Sequence, residues 1–124
     1  MAWGADTAAT QLTSITSEQF FSFGGSSKIS LNPGESAVVQ VSGDFPGTPT
    51  DNLRISVYST LDASSEVWDI TPYLTFDLDR TTDPNRVSFE VSGVYAFRIG
   101  VKRAGSTDTI TSADASYRVN GISV

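Results

Sequence analysis

There is no cysteine and no histidine among the 124 residues. Without thiols the chain has neither disulfides nor thiolate metal sites, so its stability must come from packing. Without imidazole, the nucleophile–base pairs that need it and His-bound zinc are excluded. Long apolar runs are missing too. No stretch approaches the roughly 18 apolar residues of a membrane span, and no basic segment followed by an apolar run marks a signal peptide, so synthesis in the cytoplasm is expected. Sustained apolar faces at helical spacing are lacking, as are the two common Gly-rich phosphate loops. Positive charge is scarce: 8 Lys and Arg stand against 14 Asp and Glu, for a net charge of −6. That balance argues against a nucleic-acid binder, which needs a basic surface to release counterions from phosphates. No catalytic pair can be assembled from the remainder, and the expectation is a protein with no enzymatic activity and no cofactor.

What remains is polar and strand-like. Apolar residues make up 39% and charged residues 18%, with Ser, Thr, Gly and Asp plentiful. The length suits one domain with a single core. Acid is unevenly spread: residues 1–85 hold eleven acidic and three basic side chains, and residues 86–124 hold three acidic and five basic ones. A mildly basic edge on an acidic body follows, most simply as a solvated face.

The strongest period-two signal lies in Arg86–Arg103, two strand-like runs joined at Ser92-Gly93 in hairpin fashion. Tyr95, Phe97, Ile99 and Val101 alternate with Ala96, Arg98, Gly100 and Lys102, predicting one apolar and one wet face. Leu53, Ile55 and Val57 alternate in the same way, as do Leu74, Phe76 and Leu78, and Ala37, Val39 and Val41. Asn32-Pro33-Gly34-Glu35 is a turn with Pro second and Gly third. Residues 104–114 are a low-complexity loop with Ile110 alone in it, and a last strand over 116–124 turns Tyr117 and Val119 inward. The Gly-Val-Tyr-Ala-Phe order resembles the immunoglobulin-type corner, with Phe97 where antibody domains place a cysteine. The expected fold is all-β, an immunoglobulin-like β-sandwich of seven or eight strands with an extended N-terminal arm.

Residues 1–27 form that arm and a Gly24-Gly25-Ser26-Ser27 joint, and residues 28–124 the sandwich domain. Trp3, Leu12, Ile15, Phe20, Phe21 and Phe23 are spaced through its polar background and must bury somewhere. Either the arm folds back over the sandwich edge, or these six residues are the partner-binding anchor on a neighbouring subunit. Trp68 belongs to the core or to a lid over its rim. Asp77, Asp79 and Asp83 could gather around Ca²⁺, but their spacing does not match the twelve-residue calcium loop and a plain acidic edge is the simpler use, so no metal is expected.

Residues 1–23 together with ISLNPGESAVVQVSGDFPGTPTDNLRISVYSTLD resemble small virion structural proteins of tailed bacteriophages. The Leu-Asn-Pro-Gly-Glu-Ser and Asp-Phe-Pro-Gly-Thr-Pro-Thr-Asp-Asn segments carry most of the likeness. The resemblance implies a noncatalytic, immunoglobulin-like protein that decorates or cements the capsid. Its partners would be the major capsid protein and neighbouring copies of itself, as a homo-oligomer such as a trimer, and its location the capsid surface of the virion. No nucleic acid or membrane partner is implied. The alternatives are a tail, head-to-tail or vertex component of the same particle, or a glycan-binding adhesin module using Tyr58 and Trp68.

Overall fold

The computed structural model describes residues 2–3, 6–60, 67–81 and 85–121, with residues 2, 3 and 121 described in backbone only. Eleven strands run in chain order: β1 Ala2–Trp3, β2 Thr7–Ala8, β3 Leu12–Ile15, β4 Gln19–Phe20, β5 Ile29–Ser30, β6 Ser36–Asp44, β7 Leu53–Thr60, β8 Leu74–Leu78, β9 Arg86–Ser92, β10 Ala96–Arg103 and β11 Ile110–Gly121. No described residue is helical.

The strands form two antiparallel sheets. In the first, β1, β2 and β3 line one side of β11, followed by β6 and then β9. In the second, β4 and β5 line one side of β10, followed by β7 and then β8. Treating β1–β3 as one interrupted strand and β4–β5 as another leaves eight, in agreement with the all-β sandwich expected. Their order corrects the immunoglobulin likeness. In antibody domains several successive strands are neighbours in one sheet. Here the chain changes sheets at every connection among the long strands except β7–β8, and the last strand lies inside the first sheet. Two four-stranded sheets wound this way form a jelly roll.

The local cause is visible between β9 and β10. These runs do not pair as a hairpin; Gly93, with φ of 73°, begins a crossing from one sheet to the other. Tyr95 ends 55% exposed instead of entering the core. The predicted alternation otherwise places the core. Ala37, Val39 and Val41 on β6, Leu53, Ile55 and Val57 on β7, and Phe97, Ile99 and Val101 on β10 are all fully buried between the sheets. Tyr117 and Val119 pack partly buried against them. The turn before β6 is also as expected: Glu35 N–H donates to the Asn32 carbonyl at 3.0 Å, with Gly34 at φ 83°.

Two expectations change. The loop expected over 104–114 is shorter, because Ile110–Asp114 is the first part of β11, held between β3 and β6. Beyond Ile110, its buried residues are Ser112 and Ala113, followed by Ala115, too small or too polar to stand out in a hydropathy pattern. The arm is not separate from the body. Its strands complete both sheets, and Gly24-Gly25, with φ of 64° and 91°, form a tight reversal in which Phe23 N–H donates to the Ser26 carbonyl at 2.8 Å. The expected flexible joint is therefore a hairpin tip, where only glycine takes two successive positive φ values without strain.

Candidate interaction surface

The six residues expected to form a partner-binding anchor lie within this chain. Ile15 and Phe21 are fully buried and Phe23 is 8% exposed. Ser14 takes φ of 51°, and that left-handed kink breaks the alternation so that both Leu12 and Ile15 face the core. Phe21 N–H donates to the Ile99 carbonyl at 3.0 Å, and Phe23 meets Tyr117 edge to face with centroids 4.9 Å apart. Leu12 is half-buried against the core. Trp3 pairs through its backbone with Asn120, and its side chain lies outside the described residues. Burial in its own sandwich removes Ile15, Phe21 and Phe23 from any partner, so for these three the anchor reading is corrected in favour of the fold-back one.

Phe20 points the other way, onto the outer face of the second sheet. Arg98, expected on a wet face, is enclosed there by rings: its guanidinium carbon is 4.1 Å from the Phe20 centroid, 4.9 Å from Trp68 and 5.7 Å from Tyr58. Its Nε is buried without a hydrogen bond. Beside it the Tyr58 hydroxyl donates to the Glu18 carboxylate at 3.0 Å. Burial, and then the Glu18 carboxylate, raise the Tyr58 pKa above its ordinary value. Gly100 makes room for this layer, since a Cβ there would stand 3.0 Å from both Glu18 and Phe20. Trp68 thus lies neither in the core nor as a lid over its rim, but on the outer face of the second sheet beside Arg98.

The acidic groups are largely committed as well. Asp51, 8% exposed, accepts the backbone N–H groups of Thr107 and Asp108 at 2.9 and 2.8 Å. Asp108 reciprocates, accepting those of Thr50 and Asp51 at 2.6 and 2.9 Å. The two loops are locked together, and the Asp51 and then the Thr50 backbone donors hold the Asp108 carboxyl below its usual range. Of the three residues weighed for Ca²⁺, Asp77 forms a two-pronged ion pair with Arg54 at 2.9 and 3.2 Å, which raises the Arg54 pKa. Asp79 accepts from the backbone N–H and hydroxyl of Thr81 at 2.9 and 2.8 Å. Asp83 lies outside the described residues.

Two shallow grooves mark the surface. One, about 440 Å³, lies between Asp6, Gln40, Ser88 and Arg118. The other, about 340 Å³, lies between the Asn32–Glu35 turn and Gly93–Tyr95.

The least finished part of the molecule is the side where β8 and β9 run. Among the described residues each has a single strand neighbour, β7 and β6 respectively, and the two edges face each other across the sandwich. Phe76 of β8 and Phe89 of β9 stack across the opening with centroids 4.9 Å apart, tilted by 31°. Leu74, Phe76, Val87 and Phe89 are only partly buried, whereas at the opposite edges, formed by the N-terminal segment, Ile15, Phe21 and Phe23 are buried. Sequence patterning marked β9 as part of a central pair, because an edge strand buried on one face has the same alternation as an inner one. A sheet edge with unpaired backbone groups and a half-covered apolar seam is a surface for adding another strand.

No family model matches this chain, and no curated protein matches it. A solved structure from the Bacillus endospore appendages, described as a novel family of disulfide-linked pili, is similar in fold with a TM-score of 0.54 and 15% identity. The alignment covers 97% of this chain and 93% of that one. At this identity the two share an all-β two-sheet architecture along almost their whole lengths.

Proposed function

We propose that this chain is a noncatalytic structural subunit, and specifically one that decorates or cements the capsid of a tailed bacteriophage. The observation that carries the structural reading is the disposition of the side chains able to do chemistry. The carboxylates of Glu18, Asp51, Asp77 and Asp108 are tied into structural contacts. The apolar groups left half-covered sit instead along an open sheet edge, where recognition would be made by backbone and packing. The phage assignment comes from the resemblance of the first half of the sequence. Attachment is through the sandwich edge rather than through Ile15, Phe21 and Phe23 of the arm, which are spent inside.

The experiment is mass spectrometry of density-gradient-purified particles, followed by cryo-EM. The expected result is this polypeptide in many copies on the head, with β8–β9 toward the capsid or toward a neighbouring copy. Particles that lack the polypeptide would overturn the reading.

A second reading, a subunit of an extracellular filament, is favoured by the fold shared with the endospore appendage protein. The disulfide linkage of that family has no counterpart here, because this chain has no cysteine. Fibres in negative-stain images of the purified protein would favour this second reading over the first.

A further inference from the structure

We propose that β9 is a self-complementary edge through which two copies of this chain join, extending the first sheet across a twofold axis at Ser88.

The phase of the strand decides which backbone groups are available. Gly43 N–H donates to the Asn85 carbonyl, and Gly43 would be the partner of Asn85 if the β6–β9 register continued by one residue. In an antiparallel ladder, bonding toward one neighbour alternates with residue number. Residues 85, 87, 89 and 91 therefore bond inward to β6, and Arg86, Ser88, Glu90 and Ser92 turn their N–H and C=O groups to the open side. The Ser92 carbonyl already accepts the Tyr73 hydroxyl at 3.3 Å. Arg86, Ser88 and Glu90 are left.

A second β9 laid antiparallel must oppose outward-turned residues to outward-turned residues, which leaves few registers. Centring the pair on Arg86 or on Glu90 sets like charges face to face. Centring it on Phe89 requires the backbone of Ser92, whose carbonyl is engaged, and centring it on Val87 opposes Arg86 only to Ser88, leaves Glu90 with no partner within β9 and closes four backbone hydrogen bonds. Centring it on Ser88 opposes Arg86 to Glu90 twice and Ser88 to itself, and closes six backbone hydrogen bonds across the axis. Arg86 and Glu90 are both exposed on β9, and neither makes a hydrogen bond or ion pair with a described residue. On the inner face the same register brings Val87 of each copy beside Phe89 of the other and covers the Phe76–Phe89 seam.

The strand also lacks the devices that normally keep an edge apart. It has no proline or lysine, and its seven-residue pairing with β6 is free of bulges. Opposite charges directly across an antiparallel pair stabilise it and like charges oppose it, which makes the register readable by charge reversal.

The inference does not depend on the particle assigned above, and its test needs only the purified chain. Sedimentation velocity over a concentration series is expected to show a monomer–dimer equilibrium. Glu90→Arg and Arg86→Glu, each placing like charges in register, should raise the dissociation constant at least tenfold. The double variant Arg86→Glu/Glu90→Arg should restore it to within about threefold, with circular dichroism unchanged throughout. Because the chain has no cysteine, Ser88→Cys should cross-link two copies under mild oxidation, whereas Thr109→Cys, exposed at the far end of the molecule, should not. A strict monomer, a trimer, or a dimer indifferent to charge reversal would overturn the proposal. Its failure would leave attachment to particles, judged by mass spectrometry, a separate result.

Discussion

Arg98 stands where the alternation of β10 puts a solvent-facing residue, yet Phe20, Trp68 and Tyr58 surround it. Its long stem and planar head fill the space beneath these rings, so the residue acts as packing material as much as charge. Arg98→Ala is expected to lower stability by about 1–2 kcal/mol, as a desolvated cation–π contact and its packing are lost. The urea midpoint should fall and tryptophan emission should move to longer wavelength as Trp68 is uncovered; unchanged values for both would refute the stacking. None of this could be read from the sequence, because the rings come from three separate segments and a period-two pattern assigns a face but not what covers it. Gly105 is comparable. It lies against the Asp51 carboxylate so closely that any Cβ would collide with it, and only the fold reveals that neighbour.

At the level of strands, the sequence is legible where residues are large and alternate cleanly, and illegible where they are small. Val39, Ile55 and Phe97 announced their inward faces, and all three are fully buried. The first half of β11, where Ile110 is followed only by the small buried Ala113 and Ala115, carried too little apolar contrast, and its strand character comes from being paired on both sides. The arm was ambiguous for a different reason: apolar residues on a polar terminus show that burial is needed but not in whose core. Ile15, Phe21 and Phe23 belong to this one, so the N-terminal strands are structural members. Deleting residues 1–23 would uncover the core, strip β11 of β1, β2 and β3, and leave β10 with only β5 on its outer side. Loss of several buried large side chains, each worth about 2–5 kcal/mol, exceeds the usual stability of a small domain. The truncated chain should show no cooperative urea transition; a cooperative transition with native-like circular dichroism would show that the arm is dispensable.

For the whole molecule, the sandwich was legible but its winding was not, since strand order depends on which loops cross between sheets and Gly93 looks the same at a hairpin or a crossing. The loops at one end are pinned by the reciprocal Asp51–Asp108 bonds, and this ties stability to pH. Asp108 titrates below its ordinary value in the folded protein. Its contribution is therefore present above the unfolded-chain value of about 3.9 and is lost as pH falls through the lower folded value. The urea midpoint should hold from neutrality to about pH 4 and drop below it, and Asp108→Asn should make that drop shallower. An equally steep acid decline in the variant would assign it to other carboxylates. The placement of β11 also bears on how the protein is made. Because β11 is the partner of β2, β3 and β6 alike, a nascent chain that has not yet reached it has no ladder on which to complete the first sheet. The first sheet must wait for β11, which leaves Val39, Val41 and Ile15 open to chaperones until that strand has been made.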